Sequence, residues 1–144
     1  MNELLLMCLI AGRRAAIPAI RVQSVIEIDD ITPIPGVPSF IRGLTALRSQ
    51  ALTVIDCPVA LGFTGRQDTS GQRAAVVDVE GHLYALLVDE AYDVGEARSD
   101  PVGVPGGFGE GWQAAARGMV ETDGGPTLLI DVEALVSGPI AQAA

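Results

Sequence analysis

Turn-forming residues interrupt this chain so often that most apolar segments between them are too short to make a stable helix. Those segments are rich in Val, Ile and Leu, which suits strands buried in a sheet. The expected fold is therefore all-β. Leu4 to Ile10 predicts a buried strand, Ala11-Gly12 a turn, and Ala15 to Ile28 one or two more strands, so that a first hairpin forms. Pro18 lacks the N–H a ladder needs and should force an edge position or a bulge. Ile31 to Pro38 holds three prolines and a glycine and must be an extended connector. Phe40 to Leu47 is expected to open with a short helical turn. Ala51 to Cys57 returns to strand, and Pro58 suits the start of a short helix ending at Gly62.

The polar, glycine-containing stretch Thr64 to Gln72 reads as a mobile loop. After it comes the clearest local signal, two β-rich runs (Ala74 to Val79 and His82 to Val88) around Glu80-Gly81, a two-residue hairpin connection. Gly95 to Gly111 is too rich in glycine for regular structure. Trp112 to Val120 and Thr127 to Ile130 then predict a last pair of strands around Asp123-Gly124-Gly125. Asp131 can cap a short terminal helix, Val132 to Val136, closed by Ser137-Gly138-Pro139. Many short strands point to small barrels, and two similar sheets account for the spacing. No internal repeat stands out.

At 144 residues the chain is one domain's length, enough to bury roughly 70% of the unfolded surface. With 49% hydrophobic and 19% charged residues it lies far from the composition of disordered chains. Its 18 acids against 9 bases give a net charge of -9, which repels phosphate backbones and argues against nucleic acid and anionic membrane as partners. Every base is an arginine. Cys8 and Cys57 both sit in apolar runs and read as buried free thiols, which favours a reducing cytoplasm. The apolar run Leu4 to Ile10 falls far short of the ~18 residues a bilayer requires, and it follows Glu3 instead of a basic stretch. No signal peptide or membrane anchor is expected.

Chemistry that would make an enzyme is sparse. His82, the one histidine, opens a hairpin strand and reads as a solvated surface imidazole. A hydrolase pairing Cys8 or Cys57 with His82 can be drawn, but nothing in the spacing supports it. Two cysteines and one histidine dozens of residues apart match no metal-ligand spacing, and Glu27, Asp29 and Asp30 start no calcium loop. Gly109 to Ala114 formally fits G-x-G-x-x-A, yet a Pro/Gly loop precedes it where a dinucleotide site needs a strand. No catalytic residue, metal or cofactor is expected, and protein binding remains.

Between Leu4 and Phe63 the segments VQSVIEI, ITPIP, VPSFIRGL, TALR and LTVID follow one another, and LLVDEAYDV from Leu86 to Val94 and, more weakly, Gly118 and LLIDVEALV come after them. In this order of features the chain resembles the CheW family of chemotaxis coupling proteins. The resemblance implies one domain over residues 1–144, made of two intertwined SH3-like β-barrels with a short C-terminal helix. It also implies a non-catalytic cytoplasmic adaptor, in which a chemoreceptor's helical hairpin tip lies in an apolar groove between the barrels and other surfaces meet the regulatory domain of a CheA-type histidine kinase. Such heterologous contacts can close into mixed rings. An alternative is a CheW-like scaffold that docks in another two-component system.

Carried over by motif, the partner-binding residues are Val22 and Ser24 on the V-Q strand, Gly43 and Leu44 at the glycine turn, and Leu47 and Arg48 in L-R. Val22 and Leu44 could equally be core, and Gly43 could serve only a backbone of positive φ. Asp56 closes the next strand and favours the start of the helix near Pro58. The chain departs from the family text at Ser24 (glutamate), Ala46 (asparagine), Ser49 (glycine) and Thr53 (proline). Ser24 removes the acid that Arg48 would pair with, and Glu27 or Asp29 could replace it only across a bulge. Arg48 is thus expected to be free for a partner.

Overall fold

The computed structural model describes residues 2–65 and 71–143. Its strands are β1 (Leu4–Ile10), β2 (Arg13–Pro18), β3 (Val22–Glu27), β4 (Ile41–Leu47), β5 (Gln50–Asp56), β6 (Arg73–Val79), β7 (His82–Leu87), β8 (Glu90–Glu96), β9 (Ala116–Thr122) and β10 (Gly125–Ile130). The helices are α1 (Cys57–Ala60), α2 (Glu110–Ala115) and α3 (Val132–Ala143). The strands form two five-stranded sheets, ordered β8-β1-β2-β10-β9 and β3-β6-β7-β5-β4. The expected two-barrel, all-β architecture is the one found.

The hairpin turns follow the local chemistry. Ala11 and Gly12 take φ of 51° and 76°, and Glu80 and Gly81 take 53° and 85°, the double positive φ of a type I′ connection. Pro18 is the last residue of β2, opposite Leu5. β10 pairs with β2 only at Ala15 and Ala16, so this central strand tolerates a proline at its end and need not be the edge that proline suggested.

The two sheets repeat one plan. Reading across the second, β3–β6 and β6–β7 are antiparallel, β7–β5 is parallel and β5–β4 is antiparallel. Reading across the first, β8–β1, β1–β2, β2–β10 and β10–β9 take the same sequence of directions. The second barrel uses the contiguous middle of the chain, whereas the first joins the N-terminal hairpin to strands from the C-terminal half. A sequence echo goes with the plan: Arg42-Gly43 precedes Ile55-Asp56 at the same spacing by which Arg117-Gly118 precedes Ile130-Asp131. In both copies the pairing shifts at the arginine, the glycine has a wide positive φ (141° and 152°), and the aspartate accepts an N–H of the following helix, Val59 N at 3.2 Å and Ala134 N at 3.1 Å.

The glycines permit a close approach. A Cβ at Gly43 would lie 2.2 Å from the Thr32 carbonyl oxygen and one at Gly118 2.5 Å from that of Val102. Thr32 bridges Leu44 and Val102 bridges Met119, so a single residue of connector covers each exposed strand edge.

Between the sheets lies a core that both share, with Leu6, Ile17 and Leu128 from the first, Ile55, Val77 and Leu86 from the second, and Trp112 and Leu135 from the helices. Each barrel adds a smaller core of its own, around Leu52 and Val76 in the second and Leu5 and Leu129 in the first.

Several expectations are corrected. Phe40 ends a single turn, in which Ile41 N donates to Pro38 O at 3.0 Å, and β4 then begins with no helix before it. Trp112 is fully buried on α2 instead of opening a strand, because Trp112 and Ala115 share the helix face that meets the common core. The stretch Gly95 to Gly111 is more ordered than its glycines suggest, since β8 runs to Glu96 and a 3-10 turn spans Gly106–Phe108. α3 continues past the expected stop, broken at Gly138 (φ 75°, ψ 177°). Of the expected loop Thr64 to Gln72, residues 66–70 lie outside the described residues, while Gln72 is buried and donates through Nε2 to Val88 O at 2.9 Å.

Gly43→Ala and Gly118→Ala should each lower stability by at least ~2 kcal/mol, since both the φ and the neighbouring carbonyl oppose a side chain. Gly81→Ala, which meets nothing within 4 Å, should cost less. Chemical denaturation of the three variants would measure this, and equal losses would mean that φ alone matters.

Candidate functional site

The six residues singled out by motif lie on β3, on β4 and in the turn after it. These two strands are the opposite edges of the second sheet. Val22, first in β3, is half-buried against the shared core opposite Val77. The register shifts between Val22 and Ser24, and Ser24 is exposed. Gly43 is buried beneath Thr32, Leu44 stands 37% exposed, and Leu47 leans on the second barrel's own core.

Leu44 and Leu47 line a cleft of about 590 Å³ together with Ile26 and Glu27 at the end of β3 and Asp29 and Asp30 just beyond it. Its floor is apolar and its rim acidic. Val22 and Ser24 do not line it; they sit at the other end of β3. The six residues therefore divide into a cleft group and a group beside the shared core. At the related place on the first barrel a cleft of about 810 Å³ is lined by residues including Met7, Met119 and Tyr92, with the Arg13 guanidinium 4.3 Å over the Phe108 ring.

Arg48 and Ser49 form the two-residue turn between β4 and β5, with φ of 51° and 69°. Arg48 is exposed and has no carboxylate partner among the described residues. Neither Glu27 nor Asp29 takes the role of the missing acid. Serine at a left-handed position is strained where glycine would not be.

The motif reading missed Arg42, the arginine with a firm internal partner. Its Nε donates to Asp56 Oδ2 at 2.7 Å and its terminal nitrogen lies 2.7 Å from the same oxygen. Asp56, 4% exposed at the side chain, uses its other oxygen to cap α1. One carboxylate thus joins the bulge of β4 to the end of β5. The repeated Arg-Gly and Ile-Asp pairs were the available signal, since both arginines fall at bulges.

The residues of the catalytic alternative are scattered by environment. Cys8 and Cys57 are buried free thiols. Burial, with a smaller push from Asp89, raises Cys8 to about 12, and burial drives Cys57 up as well, helped by Cys8, Asp56 and Asp89. The thiolate is the nucleophile, so both are held in the inert form. His82 is exposed beside the β6–β7 turn. No helix among the described residues is long and apolar enough to cross a membrane.

With this geometry in place, the chain matches the CheW-like domain family over residues 4–139. It is similar to the chemotaxis protein CheW of Thermotoga maritima, 30% identical over 120 residues that cover 80% of this chain and 75% of that protein. The chemotaxis protein CheW of Rhizobium meliloti is 25% identical over 114 residues, covering 78% and 74%. The crystal structure of the scaffolding protein TtCheW from Thermoanaerobacter tengcongensis superposes with a TM-score of 0.79 at 24% identity, covering 94% of this chain and 88% of that one, a likeness of fold.

Ser49→Gly should raise stability by about 0.5–1 kcal/mol, the relief of left-handed strain less the greater freedom of an unfolded glycine; a lower melting temperature would mean that the serine hydroxyl has a structural role. Both thiols should resist iodoacetamide at about pH 8 in the folded protein and label once it is unfolded. Mass spectrometry would read this, and rapid labelling of the folded chain would reopen the cysteine–histidine reading.

Proposed function

The chain belongs to the CheW-like domain family, whose members are non-catalytic scaffolds of chemotaxis signalling, and we propose that it couples chemoreceptors to a CheA-type histidine kinase. The observation that carries this reading is the match to the family over nearly the whole chain, with both barrels present. A receptor's helical hairpin tip docks by an apolar stripe, the helix-in-groove mode, and the kinase's regulatory domain meets another face. The candidate contacts are Val22, Ser24, Gly43, Leu44, Leu47 and Arg48. Arg42 and Asp56 hold the frame behind them. The coupling makes and breaks no covalent bond; it works by the partners' different affinities for each other's states.

The departures from the family text favour a second reading. Ser24, Ala46 and Ser49 are exposed and Thr53 is half-buried, so these changes alter surface more than core. A surface altered there suits a scaffold of the same fold that serves an accessory array or another two-component system.

Arg48→Ala should leave the melting temperature nearly unchanged, because alanine sits in the same turn with the same φ and no ion pair is lost. It should weaken binding of a receptor-tip fragment or of the kinase regulatory domain at least several-fold, as expected for a charge-assisted contact of ~1.5–3 kcal/mol. Calorimetric titration of wild type and variant against both fragments decides it. Equal affinities would make Arg48 an ordinary solvated arginine, and a wild type that binds neither fragment would favour the second reading.

A further inference from the structure

Of the chain's aspartates only Asp123 is followed by a glycine; every other one precedes a residue with a side chain. Asp123 and Gly124 are the two-residue connection between β9, which ends at Thr122, and β10, which begins at Gly125. The Asp123 side chain is 83% exposed. An aspartyl carboxyl beside the next residue's backbone nitrogen can close on it as a five-membered ring, a reaction favoured by proximity. Glycine at that next position leaves the approach open, since it has no Cβ.

Two contacts hold the pair short of ring closure. Arg98, two residues beyond β8, takes both carboxylate oxygens, with Nε 3.1 Å from Oδ1 and Nη2 3.1 Å from Oδ2. Gly124 N donates to Thr122 Oγ1 at 3.2 Å, and that hydroxyl is itself fixed by Gly125 O at 2.9 Å and Thr127 Oγ1 at 3.1 Å. For Cγ to reach Gly124 N, the carboxyl must leave Arg98 and the amide must turn from Thr122. Both members of the ion pair are solvated, with side chains 50% and 83% exposed. Such a pair is weak, so its effect is to slow the reaction several-fold and not to block it.

We propose that Asp123 is a site of spontaneous covalent modification, converting to isoaspartate at a rate set by the grip of Arg98. The Gly124 nitrogen attacks Cγ of the protonated carboxyl. An N–Cγ bond forms, a Cγ–O bond breaks, and the hydroxyl leaves as water with the amide proton. Water then opens the cyclic imide. Opening at N–Cγ restores aspartate, whereas opening between Gly124 N and the main-chain carbonyl carbon of Asp123 leaves the chain running through Cβ and Cγ, with a free α-carboxylate. No other reactant is consumed and the mass is unchanged. The product's main chain is one carbon longer, beside the Thr122–Gly125 pair that ends the β9–β10 ladder. None of this depends on the adaptor function.

Wild type, Arg98→Ala and Gly124→Ala are kept folded at neutral pH and physiological temperature for several weeks, alongside wild type unfolded in urea. Isoaspartate at position 123 is read by electron-transfer fragmentation of the proteolytic peptide and by labelling with an isoaspartyl methyltransferase. It should accumulate slowly in folded wild type, several-fold faster in Arg98→Ala and fastest in the unfolded chain. Gly124→Ala, whose added Cβ first meets the flexible Arg14 side chain, with Nε at 3.2 Å, should cut it many-fold. Arg98→Gln serves in place of alanine should that variant melt early. If position 123 is altered no more than the other aspartates in both folded wild type and Arg98→Ala, the site is overturned. Equal rates in those two proteins would overturn the role of Arg98, and a folded wild type as fast as the unfolded chain would overturn the restraint as a whole.

Discussion

The molecule depends on an apolar core that neither sheet completes alone. Leu6, Ile10 and Ile17 face Ile55, Val77 and Leu86 across it, and Trp112, Val132 and Leu135 seal its side. A five-stranded sheet of this size must bury one face to be stable. Here the second layer for each sheet is the other sheet with its helices. The barrels' private cores are small by comparison, so most of the buried apolar residues belong to the core the two sheets share. The placement of β1 and β2 reinforces this, for they pair with β8 and β10 from the far end of the sequence. Such long-range pairings carry loop-closure entropy that only the finished core offsets.

Within that body one plan is used twice. Each barrel has a bulge at an arginine, a glycine that lets a connector carbonyl approach, one bridging residue over the edge, and an aspartate cap on the next helix. The copies then diverge in their ion pairs. Arg42 turns inward to a nearly buried Asp56, while Arg117 reaches the exposed Glu3 at 3.5 Å. A buried carboxylate with two satisfied oxygens resists displacement, because losing its partner would strand a charge. The exposed pair has water as an alternative. The edge of the second barrel is therefore the one held by a nearly buried pair, and that edge carries Gly43 and Leu44.

How much of this the sequence disclosed depends on the range of the forces involved. The β1–β2 and β6–β7 hairpins were legible because their turns are local chemistry, and Asp56 and Asp131 were legible as caps for the same reason. Trp112 was not: its helix exists because two side chains three apart meet a core built from distant strands, so tertiary packing decided what propensity left open. The pseudo-repeat is faint in the sequence because only four residues, Arg42, Gly43, Ile55 and Asp56, are identical to those at the matching positions Arg117, Gly118, Ile130 and Asp131. For the candidate site the motif supplied only a list of positions. Their division into a cleft group and a core-side group was not, since a motif transfers positions and says nothing of a register shift such as the one between Val22 and Ser24.

The contacts that hold the frame and those that hold its rim differ in exposure. Arg42–Asp56 and the Asp89–Ala11 contact are buried or partly buried and tie strands to the frame. Arg21–Glu133 is solvated and ties only a three-residue turn, with an exposed isoleucine, to a helix end. Reorienting such a turn would leave the shared core intact, since no residue from Ala19 to Arg21 is buried. An equal displacement at Asp56 would uncap α1 and uncouple the β4 bulge. The rim that precedes β3, next to Val22, is thus tied by a solvated ion pair, while the strand on the opposite edge of the same sheet is tied by a nearly buried one.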